Sequence, residues 1–302
     1  MDSEFTLIII VLASLIFCSR RLLRYLRFLQ QEEYKPGRFL AWVWRKKAFD
    51  RRGTIVALFA GLVSVFAIEL WHVEAAAIIA AVYLALSVLR EEDPRRTGKI
   101  VLKMTERAKR IYHTALLFCA LVLVIAALTL AIRAPEQMFI WVWFMQVVFF
   151  QCLPLFLAFS VLALQPGENA IQQALRREAE AILRSVDPYV IGITGSYGKT
   201  STKNCLGRLL NVCLAPTFFP RGGINTVMGI TREIREQLKP EHKYAVIEMG
   251  AYRMGSIKRL CDFTPPQAAI VTAVGLMHLE RFGGVKNIYL AKSELAQAVP
   301  AD

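Results

Sequence analysis

Charged residues are scarce in this chain, and their scarcity excludes whole classes of protein. Only 20% of the 302 residues are Asp, Glu, Lys or Arg, whereas 55% are hydrophobic. A disordered chain has the opposite composition, so disorder is excluded. The charges that are present leave a net charge of +13, which suits contact with anionic lipid or phosphate as well as with nucleic acid. Neither half of the chain is a basic tail, and we expect no nucleic-acid partner.

Closely spaced cysteines are also lacking. The six cysteines include no CxxC pair, and three of them lie in apolar runs. Zinc sites and disulfide frameworks depend on characteristic cysteine spacings, so neither is expected here. We interpret the cysteines as reduced thiols that face cytosol or lipid.

Ionisable side chains are nearly absent from five apolar runs in the first half of the chain. A membrane-spanning helix needs about 20 mostly apolar residues. Only Glu74, at the start of its run, interrupts the series, so an ion path or a transporter is disfavoured. The first run is the shortest, but its flanking charges indicate an uncleaved anchor rather than a signal peptide. The sequence therefore predicts about five transmembrane helices, at residues 5–18, 54–68, 73–89, 114–132 and 138–164.

The loops between these runs differ sharply in their content of Lys and Arg. Residues 19–52 carry eleven basic side chains and residues 90–113 carry eight, whereas the two intervening loops hold only Arg133. Basic residues near the ends of spans stay in the cytoplasm. We therefore predict a multi-pass membrane protein whose N-terminus lies outside and whose residues after 164 are cytoplasmic.

Both basic loops show helical periodicity. In residues 20–31 and in residues 99–113, the basic side chains share one face and the apolar side chains share another, which predicts interfacial helices. Such helices hold a protein to an anionic leaflet, or they cradle a lipid-phosphate substrate. The sequence leaves both interpretations open.

The second half of the chain begins with a predicted linker. Pro166 and Gly167 follow the last apolar run, and the next residues are polar and alanine-rich as far as Asp187. We therefore divide the chain into a transmembrane domain at 1–165, a linker helix at 166–188 and an α/β domain at 189–302.

A glycine-rich turn follows the first predicted strand of that domain. The strand at 189–194 leads into GSYGKTS at 195–201 and then into a helical pattern. Backbone N–H groups approach phosphates closely where no Cβ intervenes. Lys199 would reach the β- and γ-phosphates, and Thr200 would offer its hydroxyl to Mg²⁺. The common spacing is not kept, because Ile193 stands where GxxxxGK has its first glycine, and a purely structural turn is the alternative.

Two more predicted strands, at 244–247 and 268–271, alternate with helical stretches. This pattern is typical of a parallel sheet, as in P-loop NTPases, with ligands at the carboxyl ends of the strands. Glu248 ends one of these strands and His278 lies just beyond the other. We predict that both face the phosphate loop and contribute to a metal or γ-phosphate site.

Four stretches of this domain together resemble the ATP-binding central domain of the Mur ligases, which form amide bonds in peptidoglycan precursor synthesis. The resemblance covers residue 189 to about residue 299, and it is most similar to the branch that adds D-alanyl-D-alanine. The four stretches are GITGSYGKTSTK at 192–203, GGINTVMGITREI at 222–234, VIEMGAYRMGSI at 246–257 and TAVGLMHLERFGGVKNIYLAKSEL at 272–295.

The resemblance implies a role for each matching residue, with ATP and Mg²⁺ as cofactors. Without it, Lys292 would be interpreted as an exposed helix lysine; with it, Lys292 matches a lysine that becomes carbamylated to bind metal. The implied catalytic residues are Lys199, Lys292 and His278, and the implied metal ligands are Thr200, Glu248, His278 and Lys292. The implied nucleotide-binding residues are Gly195, Ser196, Tyr197, Gly198, Lys199, Thr200, Ser201, Asn225 and Thr226, of which the last two belong to a loop that approaches the acceptor carboxylate.

The implied reaction is an ATP-dependent ligation at the bacterial inner membrane. ATP phosphorylates a carboxylate acceptor, and the amine of an amino acid or dipeptide then attacks the acyl phosphate. Membrane spans occupy the place of the family's soluble UDP-sugar domain, and the resemblance ends before its C-terminal domain. We therefore expect the 302 residues to bind ATP without ligating alone, and a separate C-terminal ligase domain is an expected partner. The alternatives are a poly-γ-glutamate-synthase-like ligase and a non-catalytic ATP-binding membrane scaffold.

Overall fold

The computed structural model describes residues 3–68, 73–89, 91–97, 100–133, 137–275 and 279–301. The chain divides into two compact units, Met1–Glu168 and Asn169–Asp302. The boundary between the two units falls inside one long helix.

Helices form the described part of the first unit. They follow from long runs of Ala, Leu, Ile, Val and Phe with few glycines or prolines to interrupt them. In chain order they are α1 (Ser3–Gln31), α2 (Pro36–Arg45), α3 (Arg51–Ile68), α4 (Val73–Leu89), α5 (Glu106–Arg133), α6 (Met138–Gln151) and α7 (Leu153–Val186).

The first unit is apolar both inside and outside. Its core packs α1 against α4 and α5, and α3 against α4 and α6. The rings of Phe17 and Phe150 meet in this core, with their centroids 4.5 Å apart. The outer faces are also apolar, since Phe59, Ile79 and Ile132 are each at least two-thirds exposed. Helices that are apolar on all sides are typical of a surrounding of protein or lipid.

Two of the described helices, α1 and α5, are long and apolar enough to cross a membrane by length and composition. A third candidate arises if α6 and α7, which meet at an angle of 58°, count as one bent span. Helix α4 is apolar but shorter. The arrangement of five spans stays a prediction.

The helices of the first unit differ from the expected boundaries at both basic loops. Helix α1 continues from the apolar run through the basic segment to Gln31, so no separate interfacial helix follows it. The segment at 20–31 contains neither Gly nor Pro and is rich in Arg and Leu, which are strong helix formers, so nothing ends the helix earlier. In the second basic loop, the helix begins at Glu106 and runs directly into the apolar segment.

The run at 138–164 also differs, because it is two helices rather than one. Helix α6 ends at Gln151 and α7 begins at Leu153. Pro154 lies in the first turn of α7, where its missing N–H needs no helical partner, so the chain starts a new helix there. The predicted linker is helical, as expected, but it is not a separate helix. Pro166 lies inside α7, so the linker and the end of the apolar run form one continuous helix.

Four parallel strands form the sheet of the second unit, in the order β2-β3-β1-β4. The strands are β1 (Tyr189–Thr194), β2 (Thr217–Phe218), β3 (Tyr244–Glu248) and β4 (Ala268–Val271). The predicted bounds of β1 and β4 are confirmed, and β3 is one residue longer than predicted. The helices are α8 (Lys199–Cys213), α9 (Val227–Gln237), α10 (Ser256–Phe263), α11 (Leu279–Phe282) and α12 (Val285–Gln297).

The central strands are buried because helices pack on both faces of the sheet. Ile193 and Ile247 are inaccessible in β1 and β3. A Cβ added at Gly192 would come within 2.7 Å of Leu295 in α12, so the glycine lets this helix approach β1 closely. In the register of the sheet, Ile193 of β1 lies opposite Glu248 of β3. The carboxyl ends of these two strands are therefore at the same edge of the sheet. The candidate site lies at that edge.

Candidate nucleotide and metal site

The turn between β1 and α8 has two positions that require glycine. Gly195 has φ +153°, and a Cβ there would lie 1.9 Å from the hydroxyl oxygen of Thr272. Gly198 has φ +79° and is the residue that precedes the first turn of α8. Left-handed backbone of this kind is accessible to glycine at little cost. The turn therefore brings its backbone to the N-terminus of α8, where N–H groups and the helix dipole favour an anion.

The segment that follows β4 holds this turn in place. Ser196 N donates to Ala273 O at 2.7 Å, and the buried Ser196 hydroxyl donates to Gly275 O at 3.0 Å while accepting from Gly275 N at 2.8 Å. The Thr272 hydroxyl donates to Tyr197 O at 2.6 Å. The Tyr197 side chain is exposed. The segment after β4 therefore fixes the backbone of the turn through these hydrogen bonds.

The first turn of α8 carries the two residues predicted to meet ATP and Mg²⁺. Lys199 Nζ donates to Gly195 O at 2.8 Å, so the ammonium group lies against the loop. The Thr200 hydroxyl donates to Glu248 Oε2 at 2.7 Å. Ser201 is exposed in the same turn. Glu248 therefore lies beside the phosphate loop, in contact with Thr200.

Glu248 is buried among neutral hydrogen-bond donors. Its second oxygen accepts from Asn225 Nδ2 at 3.0 Å, and the residue is only 1% exposed. The hydroxyl of Tyr252 donates to Asn225 Oδ1 at 2.9 Å, which fixes the orientation of the Asn225 amide. Thr226, the next residue, caps α9 by accepting from Gly229 N at 3.3 Å. The loop at 225–226 is thereby anchored beside the carboxylate.

Lys292 is buried, so the interpretation as an exposed helix lysine is wrong. Only 5% of the residue is accessible. Burial, and secondarily the positive charge of Lys199, lower the pKa of Lys292 to about 8. Lys292 lines a cavity of about 40 Å³, whose lining also includes Gly195, Ser196, Lys199, Asn225, Gly250, Ala251, Tyr252 and Phe282. The structure thus brings the two lysines and the Asn225 loop to one cavity.

The donor set at this edge fits a magnesium ion. Mg²⁺ prefers oxygen ligands, and it is often held by one or two protein side chains together with substrate phosphates and water. The Thr200 hydroxyl and the Glu248 carboxylate supply such oxygens. In the part of the chain that the structure describes, no three His, Cys, Asp or Glu side chains cluster as a metal site. The predicted ligand His278 lies outside the described residues.

Sequence reasoning missed the role of Lys203. This residue is inaccessible, and its Nζ donates to Pro220 O at 2.5 Å and to Gly222 O. Burial lowers the pKa of Lys203, against the opposing effect of the nearby carboxylates of Glu248 and Glu233. Lys203 therefore ties α8 to the loop that leads into Asn225. Its spacing of four residues from Lys199 was the available signal, because residues at that spacing share a helix face.

Glu294 is a second residue that the sequence did not single out. Its carboxylate accepts from Gly255 N at 2.6 Å and from Lys258 N at 2.9 Å. These N–H groups lie at the start of α10, where a carboxylate interacts favourably with the helix dipole. The contact joins α12, which carries Lys292, to α10.

Comparison with known proteins shows what this region is similar to. Residues 193–302 match the model of the Mur ligase middle domain. One relative is the UDP-N-acetylmuramoyl-tripeptide--D-alanyl-D-alanine ligase of Escherichia coli (strain K12), which is 35% identical over 119 residues, or 39% of this chain and 26% of that protein. The ligase of the same name from Mycobacterium tuberculosis (strain ATCC 25618 / H37Rv) is 38% identical over 111 residues, or 37% of this chain and 21% of that protein.

Among solved structures, the MurF ligase from Thermotoga maritima in complex with ADP matches with 35% sequence identity and a TM-score of 0.40. The match covers 42% of this chain and 30% of that chain. The chain spans about a quarter of the length of the curated relatives it matches.

Proposed function

We propose that this chain, whose residues 193–302 are a Mur ligase middle domain, binds Mg²⁺ and ATP and takes part in Mur-type amide ligation. One observation carries the proposal: a glycine-dependent phosphate loop lies directly beside the hydrogen-bonded pair Thr200 and Glu248. The relatives are named as UDP-N-acetylmuramoyl-tripeptide--D-alanyl-D-alanine ligases, so we favour a peptidoglycan precursor as the acceptor. They lend no support to the poly-γ-glutamate-synthase-like alternative.

The nucleotide would be held by backbone and by charge. The N–H groups at the start of α8 would bind the phosphates, and Lys199 would exchange its contact with Gly195 O for a phosphate oxygen. Thr200 and Glu248 would hold Mg²⁺, which when bound neutralises phosphate charge. Asn225, fixed by Tyr252, would keep the Glu248 carboxylate in position.

The proposed reaction has two balanced steps. A carboxylate oxygen of the acceptor attacks the γ-phosphorus of ATP, and ADP leaves as the phosphorus–oxygen bond to it breaks. An amine then attacks the acyl carbon, phosphate leaves, and the amine nitrogen loses a proton. In both steps charge increases on phosphate oxygens, and Lys199 is a cation placed to stabilise it. The need for a further ligase domain stays a prediction.

Lys292 is the proposed site of a carbamate. The ammonium group would first lose one proton; the neutral amine would then form a bond to the carbon of CO₂, one C=O π pair would move onto oxygen, and the nitrogen would lose a second proton. The product is an anionic carbamate suited to a metal. A pKa of about 8 leaves about a tenth of the amine neutral at pH 7, far more than an ordinary lysine has. With ¹³C-labelled bicarbonate, we expect a carbamate NMR signal that Lys292→Ala abolishes and that Lys286→Ala, at an exposed lysine of the same helix, retains.

Equilibrium titration of the full chain with ATP and Mg²⁺ tests the central proposal. We expect Lys199→Ala to weaken nucleotide binding by about tenfold or more, because it removes a charge-assisted contact. Lys239→Ala is the matched control, since Lys239 is an exposed lysine of the same unit. Equal affinity of wild type and Lys199→Ala would refute the assignment of this loop to ATP.

We also propose that the first unit spans the bacterial inner membrane and that the second unit is cytoplasmic. The Lys and Arg asymmetry of the loops supports this arrangement. The exposed thiols of Cys205 and Cys213, both in the second unit, provide a test without mutation. We expect a membrane-impermeant thiol reagent to leave them unmodified in intact cells and to modify them after permeabilisation. Modification in intact cells would contradict the topology.

A further inference from the structure

A large basic cavity lies in the first unit, which the proposed ATP chemistry does not use. Its volume is about 700 Å³, within the range of about 300–1,000 Å³ typical of small-molecule sites. Six arginines and three carboxylates line it, a local excess of positive charge. The charged residues are Arg20, Arg21, Arg24, Arg27, Arg51, Arg52, Asp50, Glu91 and Glu92.

Carboxylates neutralise only part of this arginine cluster. Arg21, with a 3% exposed side chain, forms a two-pronged pair with Glu91 at 2.9 Å and an ion pair with Asp50 at 2.6 Å. Arg20 pairs with Asp93, and Arg52 pairs with Glu91. These pairs use Asp50, Glu91 and Asp93, and they hold the wall of the cavity together.

The remaining arginines are free to bind a ligand. Among the described residues, no carboxylate lies within ion-pair distance of Arg24, Arg27 or Arg51. The Arg27 guanidinium lies over the ring of Phe28, which in turn stacks on Trp42 at 4.1 Å. Three unpaired guanidinium groups around one concave, partly apolar wall favour an anion with several oxygen acceptors, and phosphate fits their planar donor geometry.

The position of the cavity indicates where such an anion comes from. Its wall is built from the second half of α1, the start of α3 and the end of α4. The same three helices carry exposed apolar faces, with Ile8, Phe59 and Ile79 each more than half exposed. A lipid whose chains lie along these faces would place its headgroup at the level of the arginines, where Trp42 also fits the aromatic belt of a membrane interface.

We propose that this cavity binds the phosphate or diphosphate headgroup of a membrane lipid through Arg24, Arg27 and Arg51. The site is independent of the ATP site, since none of its residues belongs to the second unit. The lipid proposal rests on one part of the proposed function, namely that the first unit lies in a membrane.

Titration of the full chain in non-ionic detergent tests this proposal. The probes are short-chain phosphatidic acid, phosphatidylcholine of the same chain length, and inorganic pyrophosphate. We expect the double variant Arg24→Gln with Arg51→Gln to bind phosphatidic acid about tenfold more weakly than wild type, and Arg27→Gln alone to weaken binding in the same direction. Arg45→Gln with Lys46→Gln is the control, because it removes two exposed charges of the same segment that do not line the cavity.

Three results would overturn the proposal. An equal loss in the cavity and control variants would show general surface attraction. Equal binding of phosphatidylcholine and phosphatidic acid would remove the role of the exposed phosphate. Pyrophosphate binding as tight as that of the lipid would make a soluble anion the ligand. Unchanged ATP affinity in the same variants separates these failures from a failure of the nucleotide site.

Discussion

Arg21 in the first unit and Lys292 in the second are both nearly inaccessible, yet their surroundings differ. Arg21 lies between two carboxylates, Asp50 and Glu91. Lys292 has no carboxylate partner among the described residues. Besides burial, the charged group that lowers its pKa is the cation Lys199. Glu248, a buried carboxylate of the same unit, accepts hydrogen bonds from the neutral groups of Thr200 and Asn225.

This difference separates buried charges that hold a structure together from buried charges that await a ligand. A buried ion pair is balanced within the protein, so removing one partner is strongly unfavourable. A buried charge without a partner lowers the stability of the free protein, and a bound ion of opposite sign offsets that cost. The labelling rate of a buried native cysteine tests this contrast in both units.

The largest effect is expected for Arg21→Met in the first unit. The change leaves the buried carboxylate of Asp50 without a cation and removes the two-pronged partner of Glu91, which costs about 3–5 kcal/mol. We expect labelling of the buried thiol of Cys119 to accelerate by about a hundredfold or more in detergent. Arg52→Met is the control, because Arg52 contacts the same Glu91 but is 73% exposed, and it should change the rate little. Similar rates in both variants would show that Arg21 is not a structural tie.

Lys203→Met should have the next largest effect, in the second unit. The change leaves the carbonyls of Pro220 and Gly222 without their donor, which costs about 1–3 kcal/mol. The buried thiol of Cys261 is the reporter, and we expect it to react about tenfold faster. Thr202→Met, at the neighbouring position of α8, is the control. A labelling rate equal to that of wild type would mean that the contact of Lys203 with the loop contributes nothing to the stability of the second unit.

Lys292→Met should act in the opposite direction and stabilise the second unit at neutral pH. The pKa of Lys292 falls from its ordinary value of 10.5 to about 8 on folding, so the unfolded chain binds the proton more tightly. The stability contributed by the neutral amine is present above pH 10.5 and is lost as the pH falls to about 8. We therefore expect a gain of about 1–2 kcal/mol at pH 7, which shrinks as the pH rises from 8 to 10.5.

The ratio of Cys261 labelling rates in variant and wild type, taken at each pH, measures this gain independently of thiol ionisation. The buffers must be free of CO₂, because a carbamate on Lys292 would change the comparison. A gain that does not vary between pH 7 and pH 10.5 would refute the assignment of the effect to the ammonium charge.

Glu294→Ala should have the smallest effect, because this carboxylate interacts with backbone N–H groups rather than with another charged side chain. Loss of the bonds to Gly255 N and Lys258 N should cost about 1 kcal/mol, as for other helix caps. Cys261 lies in α10 itself and should be labelled about fivefold faster. Asp262→Asn, at an exposed carboxylate of the same helix, should leave the rate nearly unchanged.

Much of the second unit was predictable because short buried runs bounded by turn residues indicate strands of a parallel sheet. The same topology predicted that Glu248 would face the phosphate loop, since the carboxyl ends of parallel strands share an edge. Strand β2, with two residues, is too short for any periodicity to show. The burial of Lys292 also escaped the residue pattern, because a lysine on an amphipathic helix normally faces solvent.

The first unit was less predictable for a different reason. Its apolar runs indicate helices, but uniform hydrophobicity carries no signal about where α1 ends or which faces pack together. The basic cavity joins residues from 20 to 97 through packing between α1, α3 and α4. No local pattern distinguishes Arg21, which is paired, from Arg24, which is free.

The tie formed by Lys203 sets a lower limit on the segment that can be transplanted into another protein. A graft of residues 189–201 would carry the phosphate loop but would leave out both Lys203 and the Pro220 and Gly222 carbonyls that it holds. A graft that keeps the tie and Asn225 must run at least from β1 to Thr226, and Glu248 and the residues after β4 that hold the turn must be supplied as well. For protein engineering, the nucleotide motif of this fold is therefore a unit that extends from β1 past β4 rather than a heptapeptide.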